Sequence, residues 1–193
     1  MKFERIAKAQ FIKDFMSAWN DGNLRKVLPE YDEFYRGVYG GTVDECVKKF
    51  ASDIYDKLKL PKRATIGSAG YDFSFPTKIK AIQGLQFTLP TGIAWKAGDV
   101  NERLVLSIYP RSSFGIRYRF REPNLVSIID SDYYGCAKNG GHIHMHLSNE
   151  GDNGELCIQP YIAYAQGIIT HYVITEDDDT TASRVGGVGS TGV

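Results

Sequence analysis

Ser127-Ile128-Ile129-Asp130-Ser131-Asp132-Tyr133-Tyr134-Gly135 is the stretch on which the reading of this chain turns. Val126, Ile128 and Ile129 read as a short buried strand, and Asp132-Tyr133-Tyr134-Gly135 reads as the turn leaving it. On an extended backbone Asp130 and Asp132 point to the same side. Asp130 follows directly on apolar residues, where a carboxylate is costly to bury without partners. Two readings follow. One is a functional carboxylate held in a special environment. The other is a structural carboxylate that caps turn amides. The stretch alone leaves both open.

Outward from it, the chain between Leu60 and the tail is broken by Gly, Pro and Asn into short apolar runs, roughly ten residues apart. Residues 69–75, 86–89, 92–95, 103–109, 125–130, 142–147, 155–159 and 167–173 all read as strands. The spacing predicts an all-β sandwich or barrel, with a jelly roll among the candidates. Residues 1–59 read as a helical extension. Phe3, Ile6, Ala7, Phe11, Phe15 and Trp19 recur at three- and four-residue steps, and Asn20-Asp21-Gly22-Asn23 ends the pattern. A second helix runs through Val43, Cys46, Val47, Phe50, Ile54 and Leu58, with Thr42 as its cap. Residues 31–41 between them are aromatic- and glycine-rich. They read as a packed loop or as a surface for a protein partner. Residues 176–193 form a tail: an acidic run, Glu176-Asp177-Asp178-Asp179, then a glycine-rich end that suits a flexible arm or a phosphate wrap.

Composition narrows the function classes. The chain has 193 residues and 42% hydrophobic content, enough for a packed core. Its 23 basic residues balance 23 acidic ones, so no broad electrostatic footprint for nucleic acid or an anionic membrane is expected. No apolar run reaches membrane-spanning length. Cys46, Cys136 and Cys157 are odd in number and widely spaced, which fits a reducing cytoplasm and neither a disulfide framework nor a CxxC metal site.

Weak local signals gain weight in combination. In order they are residues 64–72, Pro110-Arg111-Ser112-Ser113, residues 124–135, Ala163-Tyr164-Ala165-Gln166 and residues 184–192. This series resembles the five ordered motifs of the homotrimeric dUTP diphosphatase (dUTPase) family, from about Leu60 onward. The fourth motif departs most, since the usual basic residue before its core is absent. The extension is similar to that of some Firmicute and phage members. The resemblance implies a mainly β, jelly-roll fold of the β-clip barrel type over residues 60–175. It implies a threefold trimer, with residues 176–193 closing as an arm over a neighbour's active site. The implied reaction is dUTP plus water giving dUMP and pyrophosphate, with Mg²⁺ held mainly by the triphosphate.

By the same resemblance, Asp130 corresponds to the carboxylate that activates the attacking water. Tyr133 corresponds to the ring against deoxyribose. Asn124, the backbone at Ile128 and Ile129, and the backbone of His144 correspond to the uracil-reading hairpin. Arg111, Ser112, Ser113 and Gln166 correspond to phosphate ligands. Asp72 corresponds to a carboxylate that orders the metal's water shell or the second-motif arginine. Arg184 corresponds to the arm residue that reaches the γ-phosphate, with Ser190 and Thr191 as further donors. Val188 stands where the family usually has an aromatic ring that stacks on uracil. Residues 136–141 resemble an insertion that lengthens the hairpin loop beyond the base-reading strands. His142, His144 and His146 alternate and are expected on one strand face, a polar face or a metal site. His171 reads as a surface residue. The competing functions are a related dCTP deaminase, and a catalytically weak regulatory protein that binds a partner through the extension.

Overall fold

The computed structural model describes residues 1–31, 41–152, 154–184 and 186–187. The chain opens with a strand, where the sequence suggests a helix. β1 (Lys2–Arg5) pairs antiparallel with β6 (Ile93–Lys96), placing Phe3 opposite Trp95. The Phe3 ring also meets Tyr71 and Phe73, with centroids 5.2 and 5.8 Å away. These long-range contacts outweigh the helical spacing of Phe3. The helical period takes over at α1 (Lys8–Asn20), which buries Phe11, Phe15, Ala18 and Trp19. After it, α2 (Asn23–Val27) buries Leu24 and Val27. α3 (Val43–Lys57) starts at the expected cap. The Glu45 amide donates to the Thr42 hydroxyl at 3.3 Å, and the Thr42 amide donates to the Glu45 carboxylate at 2.8 Å, a complete capping box. Tyr31 is buried beside Trp19; residues 32–40, and with them most of the segment read as a loop or partner surface, lie outside the described residues.

The rest is mainly β. β2 (Lys62–Arg63), β3 (Tyr71–Ser74), β4 (Ile79–Ile82), β5 (Gln86–Pro90) and β7 (Leu104–Pro110) lead into α4 (Ser112–Tyr118). β8 (Phe120–Arg121), β9 (Ser127–Asp130), β10 (His144–Asn149), β11 (Glu155–Ile158) and β12 (Ala163–His171) follow. Among the described residues the strands form four open ladders: β2-β3-β12-β7-β9, β5-β10-β8, β1-β6 and β11-β4. The layered β architecture is as expected, but no barrel closes, because β9 and β10 belong to different ladders. No helix among the described residues is long and apolar enough to cross a membrane.

The extension shares one core with the β body. Phe11, Phe15 and Leu58 belong to the same buried cluster as Phe87, Leu89 and Trp95. Polar ties reinforce the joint. The Ile6 amide donates to the Gly92 carbonyl at 3.0 Å, and the Tyr55 hydroxyl donates to the Ile6 carbonyl at 2.6 Å. Gly92 is the point of closest approach. Its φ is 74°, and a Cβ there would run into Leu58 and lie 3.3 Å from Phe11. Gly92→Ala should therefore destabilise by about 2–3 kcal/mol, combining left-handed strain with overpacking. Gly84→Ala, at φ 76° but in open space, should cost only about 1 kcal/mol. Urea unfolding of both variants checks the difference.

Candidate active site

β7 organises the candidate residues. At its C-terminal end Tyr109 pairs with Gln166 of β12, and Gln166 pairs with Asp72 of β3. Arg111, just past the strand, donates to the Asp72 carboxylate. Gln166 lies over Gly70, where a Cβ would come within 2.7 Å of its Oε1. Ser112 begins α4, which Arg111 precedes without a side-chain cap. The Phe114 amide already donates to the Arg111 carbonyl at 2.9 Å, which leaves the amides and hydroxyls of Ser112 and Ser113 to face an anion beside the guanidinium. Arg111, Ser112, Ser113, Gln166 and Asp72 form one cluster.

The other candidates lie at the opposite end of the strand. Val105 of β7 pairs with Asp130, and Leu106 with Ile129. From Val105 to Arg111 the strand rises roughly 20 Å. Within one chain Asp130 and Arg111 therefore cannot serve the same reacting atom.

Asp130 borders a cavity of about 610 Å³ that Asn124, Ile128, Ile129, Tyr133, His144 and Arg184 also line. β9 and β10 flank it without pairing to each other. The Ile143 carbonyl accepts from the Thr91 amide at 3.2 Å, and the Ile143 amide donates to the Ile93 carbonyl at 2.9 Å. Both main-chain groups of Ile143 are thus spent on the β5–β6 side. Alternation then turns the His144 amide and carbonyl the other way, toward the open gap. A planar ring with its own donors and acceptors could be read there. Leu125, next to Asn124, holds a left-handed φ of 68°, a strained turn for a non-glycine residue.

A family model described as dUTPase matches residues 56–192. The chain belongs to the dUTPase family. It is similar to the deoxyuridine 5'-triphosphate nucleotidohydrolase of Lactococcus lactis, at 33% identity over 139 residues, covering 70% of this chain and 89% of that one. The corresponding protein of Photorhabdus laumondii is also 33% identical over 153 residues, covering 76% and 95%. Among solved structures, the dUTPase of Streptococcus mutans superposes with a TM-score of 0.53 at 28% identity, covering 61% of this chain and 88% of that chain. A dUTPase from phage phi11 of S. aureus, at 15% identity and TM-score 0.52, shares the fold. The enzyme is a dUTP diphosphatase.

Other details of this dUTPase depart from the sequence reading. Residues 136–141 do not extend away from the base-reading strands. Asn139 folds back and donates to the Tyr133 hydroxyl at 2.9 Å and to the His142 carbonyl at 3.1 Å. The Tyr133 hydroxyl donates to that carbonyl at 2.9 Å, so the insertion braces the ring. Gly187 of the arm rests on Tyr133, where a Cβ would be 3.1 Å from the hydroxyl oxygen. Within the single chain Arg184 donates to Asp130, and to Asp132 at 2.7 Å. The tether explains this reach: β12 ends at His171 opposite Leu104, beside the Val105–Asp130 pair. Val188, Ser190 and Thr191 lie outside the described residues.

The histidines keep to one side of the chain, with the His142 and His144 rings 4.5 Å apart and His144 and His146 lining the same cavity, but they do not lie on one continuous strand. β10 starts only at His144, and His142 is fully buried in the turn before it. His146 meets the Thr88 hydroxyl at 3.0 Å. His142 and His144 instead converge on Asp14 of α1, a residue the sequence reading missed, with all three ligand atoms within 4.8 Å. The donor chemistry argues against a metal there. His142 Nε2 accepts from the Gly92 amide at 2.8 Å, so in the neutral ring the proton sits on Nδ1, which donates to Asp14 at 2.6 Å. A nitrogen carrying that proton has no lone pair for a metal. Burial pushes the His142 ring down to about 4. Burial would raise Asp14, but hydrogen bonds from His142, His144 and Gln10 overcome it and hold the carboxyl well below its usual range.

Glu122 is the opposite case. It is 1% exposed, the Ser127 hydroxyl donates to one oxygen, and the other oxygen has no partner among the described residues. Burial pushes it up to about 7, against the pull of Ser127. Its contribution is fully present below about pH 4.5 and is lost as pH rises through 7. The contribution of His142 is fully present above about pH 6.5 and is lost as pH falls toward 4. The two slopes oppose each other in one window. Glu122→Gln should remove one of them. Relative to wild type, that variant should gain stability between pH 5 and pH 8, by up to about 3 kcal/mol. Its own stability should then fall toward acid. Thermal unfolding across pH measures both.

Proposed function

We propose that the enzyme hydrolyses dUTP to dUMP and pyrophosphate in sites completed between copies of a homotrimer. The observation that supports this most strongly is the separation of Asp130 from the Arg111 cluster along β7. Neither half has a full set of groups. One holds a carboxylate, a sugar-sized ring face and unpaired hairpin backbone; the other holds cation, hydroxyl and amide donors. A second copy can supply the missing half, and threefold symmetry closes the set.

In this reading the base lies in the gap between β9 and β10 against main-chain groups of Ile128, Ile129 and His144. Cytosine would leave such groups unpaired, which is costly. Tyr133, braced by Asn139, leaves no room for a 2′-hydroxyl. Asn124 holds the rim of the gap. Arg111, Ser112, Ser113 and Gln166 of a neighbouring copy take the phosphates. The only carboxylate of that cluster, Asp72, is committed to Arg111. The oxygen donors there suit Mg²⁺ carried by the triphosphate, with Asp72 reached through water at most. When bound, Mg²⁺ supplies charge neutralisation along the triphosphate. The phi11 relative is described with a structural Mg(II) ion. Asp130 accepts the proton of a water that attacks the α-phosphorus. While Arg184 sits on Asp130, that oxygen is occupied; a γ-phosphate competes for the guanidinium and frees the base. Ser190 and Thr191 would add donors as the arm settles. The reaction supplies dUMP and keeps uracil out of DNA.

Asp130→Asn should lower pyrophosphate release from dUTP by about 10²–10⁴-fold while dUTP still binds. Turnover at the wild-type rate would remove Asp130 from this role. Ending the chain after Asp179 should leave a trimer by light scattering with much reduced activity. A fully active monomer would overturn the shared-site reading. Ammonia release from dCTP would instead identify a deaminase, and tight dUTP binding without turnover a regulatory protein.

A further inference from the structure

We propose that helix α1 of the N-terminal extension is a wall of the nucleotide site, with Asp14 as a positioning residue for base recognition. The proposal rests on the base-pocket reading above and adds to it a part of the chain outside the five motifs. Lys13, Asp14 and Ser17 line the same cavity as Asp130 and Tyr133. These positions recur at three- and four-residue steps, so they occupy one face of α1. The neighbouring face, with Phe11, Phe15 and Ala18, is sunk in the core. The helix is therefore held firmly by one side while it presents a polar side to the cavity.

Asp14 connects that helix to the strand that would read the base. Its side chain is 11% exposed. One oxygen accepts from Gln10 at 2.8 Å, which fixes the carboxylate on the helix. The other accepts from His142 Nδ1 at 2.6 Å and lies 3.4 Å from His144 Nε2. His142 is pinned from behind by the Gly92 amide. The His144 ring is thus held at one end by the Asp14–His142 pair, 3.1 Å from His142 Nδ1, and its own amide and carbonyl face the gap between β9 and β10. On its β9 side that first residue has no strand partner, and Pro90 of β5, opposite it, has no amide to donate. Asp14 takes over this restraint: a charge-assisted contact through the ring limits how far the His144 backbone can shift. The ligand class is a pyrimidine base read by main chain, and the residue that holds the reader comes from the extension.

The test is steady-state pyrophosphate release from dUTP and dCTP, with thermal unfolding in parallel. Ser17 is exposed on α1, so Ser17→Trp should fold with an unchanged Tm while raising KM for dUTP about tenfold or more, with little change in kcat. Asp14→Ala should raise KM for dUTP by about tenfold and reduce the dUTP over dCTP preference in kcat/KM by a similar factor. Asp14→Asn retains an acceptor for the His142 proton and should restore most of both. Loss of stability or of active fraction alone would lower apparent kcat and leave KM and the base preference untouched; that result in Asp14→Ala overturns the positioning role. Wild-type KM in Ser17→Trp overturns the wall, whether or not Asp14→Ala folds. If the wild-type enzyme itself fails to release pyrophosphate from dUTP, the underlying reading of the pocket fails, and the variants are not what reveals it.

Discussion

The antiparallel register of β7 with β12 on one side and β9 on the other is the constraint from which the site follows. Sliding either neighbour by one residue would turn its alternate side chains to the wrong face. As paired, Tyr109 stands by Gln166 at one end and Val105 by Asp130 at the other. The ladder is thus a ruler that sets two incomplete groups of residues a fixed distance apart. A backbone this regular cannot bend to bring them together, so a chemistry that needs both must use more than one copy. The ion pair between Arg111 and Asp72 and the close fit of Gln166 on Gly70 keep one end ready without substrate.

The extension contributes to the same logic. Its strand, β1, completes an edge of β6, and its helices close the apolar surface of β5. Gly92 sits where these layers meet: its missing side chain lets Leu58 and Phe11 approach, its carbonyl holds Ile6 and its amide holds His142. One glycine therefore links the packing of the extension to the histidine beneath the base-reading strand. Buried polar groups of this kind are costly unless satisfied, and here the Gly92–His142–Asp14 series satisfies each in turn.

Much of this was legible in the sequence where the signal is local. The Thr42 cap, the apolar period of α1 and α3, and the short apolar runs of β5, β7 and β11 depend on neighbours a few residues away. The third-motif stretch could be read as strand then turn because Ile128 and Ile129 precede two aspartates. Distant partners decide the rest. Phe3 is a strand residue because Trp95 lies across from it. The serines after Arg111 continue into a helix because Phe114 finds a buried place. Asp14 looks like any polar position on an amphipathic helix until His142 and His144 are placed beside it. The loop of residues 136–141 reads as excess length until Asn139 is seen against Tyr133.

Both ends of the chain converge on one cavity. Asp14 comes from near its start, Arg184 and Gly187 from near its finish. Side chains so far apart in sequence meet there only once the β body between them has folded, so the shape of the cavity reports on the tertiary fold as a whole and on no single segment.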